Sequence, residues 1–186
     1  MSGWIEYIAV AAGVAYALLA VQRIRWAWVF GGISSALLAW LAAQSALPLQ
    51  SILQTVYVGM AVYGFQQWSL GETSVSPRIV RWPWQAHLVS VSSVALASLV
   101  FSPMFAAATG ASWPRLDAAV TGVSLLATWM TARSVLENWL YWFAVDMASI
   151  FLYGIQGLSL VAGLYAVYFI IAIFGWRKWL AQYLRQ

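Results

Sequence analysis

Asp146 stands where its chemistry is most out of place. It lies seven residues after Trp139 in a long apolar stretch, so a helix beginning there carries it about 10 Å inward. Trp139, Trp142, Asp146, Ser149 and Tyr153 are spaced i, i+3, i+7, i+10 and i+14 and share one helix face. Two indoles beside a carboxylate suit a flat, cationic aromatic ligand: the rings stack on it and attract its charge, and the acid balances that charge. A carboxylate in lipid costs roughly 2.5–3.5 kcal/mol on insertion scales and by default marks a pathway or a ligand counter-ion. The competing assignment is an acid that only bonds neighbouring spans together. Trp139, nearer the helix end, also fits an interfacial aromatic belt; Trp142 is deeper and is the better stacking candidate.

A second polar stripe runs through Gln50, Gln54 and Tyr57, spaced i, i+4, i+7. Amides inside a span need partners, from other helices or from a ligand's hydroxyls. Gln50 fits a hydrated outer interface equally well. A matching face downstream carries Val161, Tyr165 and Tyr168, so amides on one side oppose phenols on the other, which suits an asymmetric ligand. Asn138, beside Trp139, is placed to cap a helix. His87 is the sole histidine and has no carboxylate near it in sequence, which favours an interfacial place over a proton relay. There is no nucleotide-binding glycine motif, metal-ligand cluster or Ser/His/Asp set. Without cysteine there is no disulfide framework, thiolate metal site or Cys nucleophile. No cofactor is expected.

The elements that carry these residues follow from composition. Only 8% of the 186 residues are charged and 63% are hydrophobic, with mean hydropathy +0.80; an ordinary soluble domain of this length would carry about 46 charges. A soluble domain and a disordered chain are both excluded. A net charge of +4 without a Lys/Arg cluster offers no phosphate-tracking face, so no nucleic-acid partner is expected. The remaining class is an integral membrane protein in contact with lipid. Seven apolar stretches approach the ~20 residues that span a bilayer: Ile5–Val21, Trp26–Ala43, Leu49–Trp68, Ala86–Ala108, Leu116–Ala132, Trp139–Tyr153 and Leu158–Trp176. The sixth is short and should extend by a turn. The stretches are apolar nearly all round, which argues for helices over a β-barrel. No Lys or Arg precedes the first, so it does not read as a cleaved signal peptide.

Charge sets the orientation. Arg23, Arg25, Arg78, Arg81, Arg133, Arg177, Lys178 and Arg185 fall on one side of the seven spans and Arg115 alone on the other. By the positive-inside rule the rich side is cytoplasmic, so the N-terminus is outside and the C-terminus inside. That arrangement requires an odd number of spans.

The third and seventh spans end alike. Tyr63-Gly64-Phe65-Gln66-Gln67-Trp68 matches Phe174-Gly175-Trp176-Arg177-Lys178-Trp179, and Tyr57 pairs with Tyr168. Upstream, after a short gap, Trp28 pairs with Trp142, Gly32 with Asp146 and Ser35 with Ser149, and Ala20–Arg23 overlies Met130–Arg133. Spans 1–3 thus repeat as spans 5–7. With one helix between them the two halves cross in the same direction, a parallel repeat of the kind that places a substrate site near the midplane. The expected organisation is a first three-helix bundle over 1–70, a cytoplasmic hinge and linker helix over 71–110, with the hinge at Gly71–Gln85, and a second bundle with a cytoplasmic tail over 111–186.

Glu137-Asn138-Trp139-Leu140-Tyr141-Trp142 followed by Asp146 resembles the W-x-x-W-x-x-x-N/D signature of the Pnu-type vitamin transporters (the PnuC family). Gln54-x-x-Tyr57 and Tyr63-Gly64-x-x-x-Trp68 resemble that family's third span, and the resemblance covers essentially the whole chain. It implies an all-α 3+1+3 fold similar to the SWEET sugar transporters, a homotrimer in the bacterial inner membrane, and facilitated diffusion drawn inward by phosphorylation of the vitamin. It also implies a substrate site built from Trp139, Trp142, Asp146, Asn138, Gln54, Tyr57 and Tyr168. Nicotinamide riboside members often carry Asn where this chain has Asp146. Nicotinamide riboside and thiamine are both cations and suit an aspartate; riboflavin is neutral and fits less well. The expectation is a carrier for nicotinamide riboside, with thiamine as runner-up. A membrane enzyme would need a polar catalytic cluster at one surface, and the acids here are dispersed.

Overall fold

The computed structural model describes residues 3–45, 48–69, 78–109 and 113–186. Residues 71–77 of the segment expected as a hinge, with Glu72 and Pro77, lie outside the described residues. Among them are seven helices: α1 (Gly3–Val21), α2 (Ala27–Gln44), α3 (Pro48–Ser69), α4 (Trp84–Thr109), α5 (Pro114–Ala132), α6 (Asn138–Ile155) and α7 (Ser159–Tyr183). The sixth extends at both ends beyond its apolar stretch, and the seventh continues past Trp176 through the charged Arg177-Lys178. α1, α2, α4 and α7 are long and apolar enough to cross a membrane on length and composition. α3, α5 and α6 carry the amides, hydroxyls and acid that lower their hydropathy, and α3 and α6 are two of the helices that bear candidate ligand residues.

Two compact units emerge, Met1–Arg78 with Thr131–Ser134, and Ile79–Met130 with Val135–Gln186. In the first, α1 packs on α2 and α2 on α3, tied by Ser34 Oγ donating to Ala9 O at 2.7 Å and Ser51 Oγ to Ala39 O at 3.0 Å. In the second, α6 packs on α7, and Gly122 of α5 admits Val94 of α4 so closely that a Cβ would stand 2.8 Å from it. α4 leaves Leu88, Val89, Leu96, Leu99, Val100 and Phe101 exposed, the surface that lipid tails would wet. Pro103 interrupts α4 and deprives the carbonyl four residues back of its amide donor. That carbonyl belongs to Leu99, and Ser102 Oγ donates to it at 3.1 Å, so the acceptor freed by the proline is answered.

The corners after α1 and α5 share one geometry. Arg23 and Ser134 take left-handed φ values of 59° and 54°. Ile24 N donates to Leu19 O at 3.1 Å and Val135 N to Met130 O at 2.9 Å; Arg23 N reaches Ala20 O and Ser134 N reaches Thr131 O, both at 3.0 Å. These are Schellman closures. Gly157, with φ 74°, closes α6 the same way.

The repeat therefore runs in constant register, each residue of the second half 111 positions after its counterpart. This corrects the expected pairing of the inner spans. Trp28 corresponds to Trp139 and not to Trp142, Ser35 to Asp146, Gly31 to Trp142, and Arg23 to Ser134. Residue type alone does not separate the two pairings, because the start of α6 offers both Trp139 and Trp142 as matches for Trp28, and a shift of three residues is nearly one turn, so it preserves the helix face.

Candidate ligand site on helices α6 and α7

Asn138, Trp139, Val145, Asp146, Ser149 and Leu152 are the buried residues of α6. The corner before it is closed by a strap. Val80 forms an isolated parallel bridge with Val135, and Leu136 N donates to Val80 O at 2.8 Å. Glu137 accepts from Arg81 Nε at 2.7 Å and from Trp82 N at 3.3 Å; its hydrogen bond and charge hold the Arg81 guanidinium above the ordinary arginine range.

Asn138 is fully buried, and its Nδ2 donates to Val135 O at 2.6 Å. It is the first residue of the helix, and the capping position belongs to Glu137, which makes no side-chain cap bond. The capping role expected for Asn138 is replaced by a donor role toward the preceding turn.

Trp139 is 5% exposed. A Cβ on Gly175 would lie 2.5 Å from its indole, and Trp179 meets it edge-on at 5.5 Å and 87°. The first half repeats this unit: Trp28 covers Gly64, where a Cβ would lie 2.3 Å away, and meets Trp68 at 5.4 Å and 83°. The same three-residue packing unit recurs in both halves, and through it Trp139 packs on α7.

Trp142, one turn deeper, is half-buried. Its counterpart Gly31 is covered by Tyr16, whose ring would stand 2.9 Å from an added Cβ, while the counterpart of Tyr16 is the fully buried Ala127. Bulk carried by α1 in one half is carried by α6 in the other. The sequence reading overlooked Tyr16; the glycine beneath it was the available signal.

Asp146 is 2% exposed and makes no ion pair among the described residues. Tyr168 of α7 is within electrostatic range of it. Tyr165 meets Tyr168 edge-on at 6.1 Å and stacks on Tyr153 of α6 at 5.4 Å and 11°. The second unit thus gathers Asp146 and Ser149 with a tyrosine array from α7. In the first unit Gln54 and Tyr57 are half-buried, and Tyr57 is within electrostatic range of Tyr16. Gln50 is exposed, which fits the hydrated placement.

His87 Nδ1 lies 2.8 Å from Tyr141 Oη, with the two rings stacked. Both line a recess of about 390 Å³ with Arg81, Trp82, Trp84, Glu137 and Leu140. The described residues contain no group of three His, Cys, Asp or Glu side chains able to hold a metal ion.

Residues 3–181 match the model of the nicotinamide mononucleotide transporter family. The riboflavin/roseoflavin transporter RibM of Streptomyces davaonensis is 25% identical over 182 residues, which is 95% of this chain and 84% of that protein. The nicotinamide riboside transporter PnuC of Escherichia coli K12 is 24% identical over 206 aligned positions, covering 95% of this chain and 85% of that protein. A crystal structure of the vitamin B3 transporter PnuC superposes with a TM-score of 0.77 at 21% identity, over 98% of this chain and 83% of that one; it shares the all-helical fold described above.

Proposed function

Because the chain belongs to the nicotinamide mononucleotide transporter family, a family of multi-pass membrane transporters, we propose that it carries nicotinamide riboside, a cationic precursor of NAD, into the cell by facilitated diffusion. The observation that carries this reading is Asp146. It is a carboxyl in mid-span, 2% exposed, with no cation of the described residues beside it and with Tyr168 at hand. Such a group is stable when a ligand supplies the positive charge. Trp142, on the same helix as the carboxyl, stacks on the pyridinium ring. Tyr168 orients the carboxyl. Trp139 and Asn138 hold the start of α6 in place through Gly175 and Val135.

Thiamine, the other cation, satisfies the same carboxylate. The likeness to RibM favours a second reading, riboflavin. Charge separates the two: riboflavin is neutral and has no use for Asp146. A thermal-shift panel of nicotinamide riboside, thiamine and riboflavin on detergent-purified protein decides among them, since a ligand at 100 times its Kd stabilises by about 2.7 kcal/mol. Turnover by the purified protein without a second enzyme would speak for enzymatic chemistry instead. The loop charges support an outer N-terminus and a cytoplasmic C-terminus in the bacterial inner membrane. A homotrimer is the assembly we expect, and cross-linking in native membranes tests it.

A further inference from the structure

Ser149 holds a hydroxyl that the protein does not answer. It is 1% exposed, and its Oγ has no hydrogen-bond partner among the described residues. A serine inside a helix has a ready escape, a bond to the carbonyl four residues earlier. Thr55, Ser69, Ser98, Ser124 and Thr128 all take it, at 2.6 to 2.8 Å. Ser149 does not bond back to Val145. A buried hydroxyl left without a partner weakens the fold, so its rotamer calls for another reason.

Its surroundings suggest one. Ser149 follows Asp146 by three residues and shares its face. Tyr168 of α7 lies within electrostatic range of the carboxyl, and the stacked pair Tyr153–Tyr165 lies one turn further on. We infer that Ser149 is the second polar contact of the Asp146 site. Asp146 meets the ligand's positive charge, and Ser149 meets a neutral oxygen or nitrogen, a carboxamide or hydroxyl, about one helical turn away along α6. A hydroxyl both donates and accepts, so it serves either group. This inference rests on the reading of the α6 face as the ligand site. It adds that the site selects for a neutral polar substituent at a fixed separation from the cationic centre, roughly 4.5 Å from the rise of three residues.

The test is a binding measurement by thermal shift and titration calorimetry on purified full-length protein, with whichever of nicotinamide riboside, thiamine and riboflavin stabilises the wild type. Ser149→Ala should raise the Kd about ten-fold, the effect of one hydrogen bond, while the ligand-free Tm stays level or rises because an unanswered hydroxyl is gone. Ser124→Ala, which removes a hydroxyl bonded back into its helix, should leave the Kd unchanged. Ser149→Cys keeps the side-chain size and should bind weakly as well, and it stands in if the alanine variant fails to fold. Wild-type affinity in both Ser149 variants alongside lost binding in Asp146→Ala overturns this inference and leaves the Asp146 site standing. Failure of all three vitamins to bind the wild type overturns both.

Discussion

The indole of Trp139 lies directly over Gly175, so that a Cβ there would stand 2.5 Å from the ring. Gly64 holds Trp28 in the same way in the first half, at 2.3 Å. The neighbouring atoms are aromatic rings fixed by Trp179 and Trp68, and they cannot swing aside as a flexible chain would. Gly175→Ala and Gly64→Ala should each destabilise by about 1–3 kcal/mol, the usual cost of overpacking. Gly163→Ala, with nothing within 4 Å, should leave the Tm in detergent within the scatter of the wild type. Comparing the three melting temperatures checks this.

The two tryptophans of α6 should separate in their effects. Trp139→Ala removes a buried ring from a packing unit and should cost about 3–5 kcal/mol, seen as reduced folded yield on size-exclusion chromatography. Trp142 is half-buried, so Trp142→Ala should reach the membrane at near-normal levels and lose saturable vitamin uptake. Normal uptake by Trp142→Ala would remove that residue from the site.

Ser134 pays twice for its place. It is fully buried with its Oγ unpartnered, and it adopts φ 54°, which glycine tolerates better. Ser134→Gly should stabilise by up to about 1 kcal/mol, the left-handed strain relieved less the added freedom of the unfolded chain. A rise in Tm checks it.

How much of this was legible beforehand depends on the kind of signal. The seven helices, the face shared by Trp142, Asp146 and Ser149, and the pairing of Tyr57 with Tyr168 follow from apolar length and from helical spacing, which the sequence carries directly. The register of the inner spans was misread because Trp28 matches either tryptophan of α6 equally well by residue type. Only the contacts of Gly64 and Gly175, together with the turns at Arg23 and Ser134, decide between them. The Val80–Val135 bridge and the grip of Glu137 on Arg81 and Trp82 were invisible because they join residues more than fifty positions apart. Nor could spacing reveal that Ser149 forgoes the bond that Ser69, Ser98 and Ser124 make to the carbonyl four residues earlier, since that is a matter of rotamer.

The strap across the start of α6 predicts a local effect. Glu137→Ala removes the acceptor of both Arg81 Nε and the Trp82 amide. Hydrogen exchange at the amides of Trp82 and Leu136 should accelerate, while amides in the middle of α7 keep their wild-type protection. Uniform acceleration throughout the second unit would show that the strap supports the whole fold and not the α5–α6 corner alone.

The account turns on the charge of Asp146, and one comparison addresses it most directly: the thermal stabilisation of wild-type protein and of Asp146→Ala by nicotinamide riboside and by neutral riboflavin. The wild type should be stabilised by the cation and not by riboflavin, and Asp146→Ala should fold, reach the membrane and lose its response to the cation. Equal stabilisation of both proteins by nicotinamide riboside, or stabilisation of the wild type by riboflavin alone, would contradict a cationic vitamin held by this carboxylate.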